Sequence, residues 1–103
     1  MNIRSKTREE RRTFALEQDL RHLVPIAQRL ARRSPDKLTV ENVRLAAENA
    51  QILFAFNDRA YLARLFSLVM RRAGLHRVPG QYVRTARIGR RGGNLVSVWR
   101  RAA

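Results

Sequence analysis

Apolar positions in the first third of the chain fall on one side of a helix. Leu16, Leu20, Leu23, Val24, Ala27, Leu30 and Ala31 recur at helical intervals, the stripe of an amphipathic α-helix. Upstream, Thr7 and Glu10 stand three residues apart. That is the spacing of a capping box, in which a hydroxyl and a carboxylate serve free backbone N–H groups. Pro25 falls inside the stripe, where proline removes a backbone hydrogen bond and kinks the helix. Because the stripe keeps its phase across Pro25, the pattern predicts one kinked helix. Ser34-Pro35-Asp36 ends it.

Thr39 is the next N-cap, with Leu38 and Val43 placed as a hydrophobic staple. Val43, Ala46, Ala47 and Ala50 predict a second helix over 40–51 with a narrow face of small residues, which lets a neighbouring helix approach closely. Residues 52–56 (ILFAF) fit a buried turn, a short strand or the end of that helix. Asn57 or Asp58 then caps a third helix over 59–73. In it Leu62, Leu65, Phe66 and Val69 point inward, with Tyr61 and Leu68 flanking. Gly74 suits the left-handed position after the helix, and Leu75 the contact that accompanies it.

Beyond Gly74 the period shortens to that of a strand. Residues 81–88 (QYVRTARI) and 95–100 (LVSVWR) are rich in β-formers. The glycine-bearing tip 89–94 joins them into a hairpin. Val78-Pro79-Gly80 is expected to delay or break the start of the first strand. The fold expected is mainly α with a small C-terminal β-hairpin. No internal repeat is present, and 103 residues suit a single domain. It divides into an N-terminal helix and arm (1–38), a helix pair (39–74) and a basic β unit (75–103).

Charge adds a partner to this picture. The net charge is +14, and 20 of the 22 basic residues are arginine. Residues 1–58 hold all eight acids and 11 basic residues, a net of +3, whereas residues 59–103 hold 11 arginines and no acid. A folded chain repels itself in such a field, so a polyanionic partner is expected. Arginine's planar fork matches phosphate oxygens and guanine edges.

The order of three helices and a basic hairpin resembles a winged helix-turn-helix. Residues 39–50 would be the positioning helix, 57–73 the recognition helix and 81–101 the wing. The runs 68–75 (LVMRRAGL) and 96–100 (VSVWR) are similar to small winged-helix proteins of bacteria and their phages. The resemblance implies double-stranded DNA as partner. The third helix would read a major groove through Arg59 and Arg64, helped by Asn57 and Ser67, with Arg71 on the same face and small Ala60 and Ala63 allowing close approach. Arg84, Arg87, Arg90, Arg91, Arg100 and Arg101 would carry the wing's phosphate contacts. The role implied is a small transcriptional regulator or replication accessory in a bacterial cytoplasm or nucleoid. The sequence departs from the pattern in having no glycine between Thr39 and Arg59, so a wider connection is expected, with room for a homodimer contact.

Two other readings fit the same charge: an RNA-binding protein, and a phage or mobile-element inhibitor of a host nucleic-acid enzyme or defence complex, with 52–56 as its apolar anchor. Catalysis finds little support. Asp19 and His22 share one helix turn, as a surface pair would, and no nucleophile, phosphate-loop or paired-histidine motif occurs. No cofactor or metal site is expected, and the absence of cysteine removes thiolate sites. No apolar run is long enough to span a membrane. The N-terminus lacks a secretory segment, and Glu9, Glu10, Glu17 and Asp19 argue against a transit peptide. The first helix carries Arg11, Arg12, Arg21, Arg29, Arg32 and Arg33, and several can pair with the acids among them on a solvated face; a dimerisation helix, or extra backbone contacts from Arg4, Lys6 and Arg8, are the alternatives. Trp99 is expected as a core lid over the hairpin.

Overall fold

The computed structural model describes residues 7–84 and 95–101. In chain order the elements are α1 (Arg8–Arg33), α2 (Val40–Asn49), α3 (Arg59–Arg72), β1 (Leu75–Arg84) and β2 (Leu95–Arg101). This is the expected mainly helical layout with a C-terminal two-stranded antiparallel sheet, an order compatible with a winged helix.

α1 runs unbroken through Pro25. Pro25 and Arg21, whose carbonyl loses its helical donor, both sit on the exposed side. Water can serve the freed carbonyl there, so the helix continues. At its start the Thr7 hydroxyl accepts from the Glu10 N–H at 3.1 Å. The inward stripe of Leu16, Leu20, Leu23, Ile26, Ala27 and Ala31 forms one wall of the core.

α2 begins on a full capping box. The Thr39 hydroxyl accepts from the Asn42 N–H, and the Asn42 amide oxygen accepts from the Thr39 N–H at 2.9 Å. Leu38 and Val43, the expected staple, are both buried in the core. The helix ends at Asn49, two residues short of the predicted 51. Its stop is a Schellman turn: Ile52 N–H donates to the Ala47 carbonyl and Gln51 N–H to the Glu48 carbonyl. Gln51 takes the left-handed position (φ 59°) that glycine usually fills. Residues 52–56 are neither strand nor helix but an irregular connection.

Asp58, not Asn57, caps α3 by accepting from the Tyr61 N–H. The helix closes at Arg72, one residue before the expected end, and Gly74 (φ 84°) turns the chain into β1. Its buried face is Tyr61, Leu65, Phe66, Val69 and Met70. Leu62, expected inside, is half-buried, while Tyr61 and Met70 go fully inside.

β1 starts at Leu75, six residues earlier than the predicted 81. The Pro79 region does not delay the strand; it bulges it. Arg77 pairs with Trp99 and Tyr82 with Ser97, so Val78, Pro79, Gly80 and Gln81 stand opposite Val98 alone. A bulge absorbs the proline's missing donor without ending the ladder. Gly80 takes φ 75°, open to glycine at no steric cost. On its other side, β2 meets the segment before α2, where Trp99 N–H donates to the Leu38 carbonyl at 2.8 Å. Trp99 is 4 % exposed and closes the core, as expected. The rest of the predicted first strand, 85–88, and the tip 89–94 lie outside the described residues.

Candidate nucleic-acid interface

The position of α3 depends on a lock that α1 places on the connection before it. Asp19, on the inner side of α1, is 6 % exposed. Its carboxylate accepts from the Tyr61 hydroxyl at 2.5 Å and from the Ala55 N–H at 3.1 Å. Burial, then the Asp19 hydrogen bond and charge, hold the Tyr61 phenol above its ordinary ionisation range. Two turns earlier on the same side of α1, the Arg12 Nη2 donates to both Asp58 carboxylate oxygens, at 2.9 and 3.0 Å. The same guanidinium lies 4.6 Å from the Phe56 ring and 5.4 Å from the Tyr61 ring. The Tyr61 N–H first, and the Arg12 hydrogen bond second, hold the Asp58 carboxyl below the usual carboxylate range. Phe54 packs edge-on against Phe66, and Phe56 against Tyr61. At the far end of α3, Arg72 forks onto Glu17 at 2.9 and 3.0 Å. That hydrogen bond lowers the Glu17 pKa and raises that of Arg72.

These contacts correct the reading of α1 as a merely solvated face. Asp19 does not pair with His22; it is buried and holds Tyr61. Glu17 reaches across to α3, not to a neighbour on its own helix. Glu17, Asp19 and Asp58 are therefore engaged at the inner side and the ends of α3. The outward face of α3 is left to arginine and small residues.

On that face Arg59, Ala60, Ala63, Arg64 and Arg71 are exposed and Ser67 is half-buried. Helical geometry puts Arg59 at one edge and Arg64 and Arg71 at the other, with Ala63, Ser67 and Ala60 low between them. Asn57 precedes the helix and is exposed. On the hairpin Arg84 and Arg101 are exposed and Arg100 is half-buried, its guanidinium donating to Gln81 at 3.4 Å. Arg87, Arg90 and Arg91 lie outside the described residues. Arg59, Arg64, Arg71 and Arg101 make no ion pair among the described residues.

A groove of 530 Å³ opens between α2, α3 and the hairpin. It brings Asn57, Arg59 and Ser67 together, while Arg64, Arg71, Arg84, Arg100 and Arg101 are not in its lining. It also holds two arginines that the sequence reading missed, Arg44 of α2 and Arg77 of β1, and one acid, Glu41. Arg77 lies 5.3 Å over the Trp99 ring. Its place was hidden because β1 was expected to start later. Arg44 was hidden because α2 was read only for its buried face.

Among the described residues, no group of three or more His, Cys, Asp or Glu side chains could hold a metal ion. No helix among them is long and apolar enough to cross a membrane. No protein-family model, no curated protein and no solved structure matches the chain.

Proposed function

We propose that the protein binds nucleic acid, and double-stranded DNA in particular, as a small regulator or replication accessory of a bacterium or phage. The observation that supports this most is the separation of charge in three dimensions. The 11 arginines after Asp58 meet no acid in their own segment, and Glu17 and Asp58 are tied to Arg72 and Arg12. Arg59, Arg64 and Arg71 therefore present donors on a slim helix face, beside a hairpin carrying Arg84, Arg100 and Arg101. In this reading the hairpin arginines neutralise phosphates and fix orientation, and α3 reads base edges or groove shape. Arg87, Arg90 and Arg91 extend the phosphate contacts.

Competition tests the choice of partner. A labelled mixed-sequence duplex is displaced by unlabelled duplex, single strand or structured RNA at equal phosphate concentration. Duplex is expected to compete best; RNA competing better would overturn the DNA assignment. One observation favours a protein partner as a second reading: Leu53 is 89 % exposed on a connection that Asp19 pins in place. A pull-down from nuclease-treated lysate separates the two. A stoichiometric protein that survives nuclease and is lost in Leu53→Ser supports the second reading.

A further inference from the structure

Arg44 and Arg77 lie in the groove but outside the residues proposed for duplex binding. At 530 Å³ the groove falls within the volume range of small-molecule sites, roughly 300–1,000 Å³. Its lining divides by chemistry. Val40, Leu62, Ala63 and Val96 contribute apolar surface, with the nearly buried Phe66 and Trp99 behind them; Arg44, Arg59 and Arg77 contribute cations; Asn57, Ser67 and Ser97 contribute neutral donors and acceptors. A bare phosphate has no use for the apolar part. An apolar ligand has no use for three guanidiniums. A planar ring carrying an anion uses both. The Arg44 Nε–H is buried and makes no hydrogen bond, although Glu48 Oε1 lies 3.4 Å away.

We infer that this groove binds a free nucleoside monophosphate. The ring lies against the apolar lining beside the Arg77 guanidinium, which can stack on a base. The Asn57 amide and the Ser67 and Ser97 hydroxyls serve the ring edge and sugar. Arg44 and Arg59 take the phosphate. Glu41 is an acceptor for sugar hydroxyls. Asn57, Arg59 and Ser67 belong also to the proposed duplex face, so nucleotide and duplex exclude each other. The nucleotide site itself rests on the groove and not on duplex binding.

Trp99 is the single tryptophan and lines the groove, so its emission reports occupancy. The probes are adenosine 5′-monophosphate, adenosine and inorganic phosphate, titrated into the full chain. Adenosine monophosphate is expected to saturate below about 1 mM at one site. Adenosine and phosphate alone bind at least about tenfold more weakly, and Arg44→Ala loses at least about tenfold. Arg44→Lys, which keeps charge and helix but loses the fork, also weakens binding. Equal binding of phosphate and nucleotide, no saturation, or full affinity in both Arg44 variants would overturn the site. Arg44 is not among the proposed duplex contacts. Loss of nucleotide with duplex retained in Arg44→Ala supports the site, and nucleotide binding without any duplex binding removes the DNA assignment alone.

Discussion

Replacing Tyr61 with phenylalanine removes one oxygen and tests the lock beneath α3. Tyr61 is 4 % exposed and Asp19 6 %. The change leaves the Asp19 carboxylate with one remaining donor among the described residues, the Ala55 N–H at 3.1 Å. A hydrogen bond to a charged group contributes about 1.5–3 kcal/mol, and a buried acceptor left short keeps its desolvation cost. In a domain of this size each kcal/mol moves Tm by about 4–8 °C, so Tyr61→Phe is expected to melt roughly 6–24 °C lower. Far-UV circular dichroism measures it. The pH profile adds a second readout. The folded-state pKa of Tyr61 is raised above the ordinary value of about 10. Its contribution is therefore complete below about pH 10 and lost as pH rises beyond it, because the unfolded chain ionises first. The gap between wild type and Tyr61→Phe should narrow above that pH. A Tm within about 2 °C of wild type, with parallel pH profiles, would refute the lock.

Gln51→Gly relieves a left-handed residue at the end of α2, and should raise stability by up to about 1 kcal/mol, read as a higher urea midpoint. Gly74→Ala places a side chain at φ 84° with no atom within 4 Å of the new Cβ, so a loss of about 1–2 kcal/mol would be backbone strain alone. Glu41→Gln removes the one acid of the groove and should tighten duplex binding by up to about fivefold at low salt, less at high salt. Glu17 and Asp58 have lowered pKa values in the fold. The stability they contribute is present above the ordinary carboxylate pKa of about 4 and lost as pH falls through their folded values. Glu17→Gln with Asp58→Asn, which keeps a capping side chain, should flatten the acid limb of the unfolding curve.

The helices were legible because their signals are local. Thr7, Thr39 and Asp58 announce their caps, and Gly74 its turn, within four residues of chain. α2 overran in the sequence reading because Gln51 occupies a position where glycine is the usual signal. The true start of β1 is hidden in sequence because Pro79 reads as a strand breaker, and only the partner strand shows that a bulge absorbs it. Asp19 was the larger miss. Its place in the chain, among glutamates and arginines, resembles a surface position. Its burial depends on Tyr61 arriving from 42 residues away. The candidate face on α3 was legible from helical spacing. The groove was not, because Arg44 and Arg77 reach it from two other elements.

In the proposed function, arginines of α3 and the hairpin engage a duplex through its phosphates and grooves. A salt titration of duplex binding by fluorescence anisotropy tests it most directly, with wild type beside Arg59→Ala/Arg64→Ala and Arg90→Ala/Arg91→Ala. Neutralising roughly five to seven phosphates gives a slope of about −5 to −6 in log affinity against log salt. The hairpin pair should make that slope shallower by about 1–2, and the helix pair should lose discrimination between duplex sequences. A slope near zero, or identical curves for all three proteins, would rule out duplex binding through these arginines.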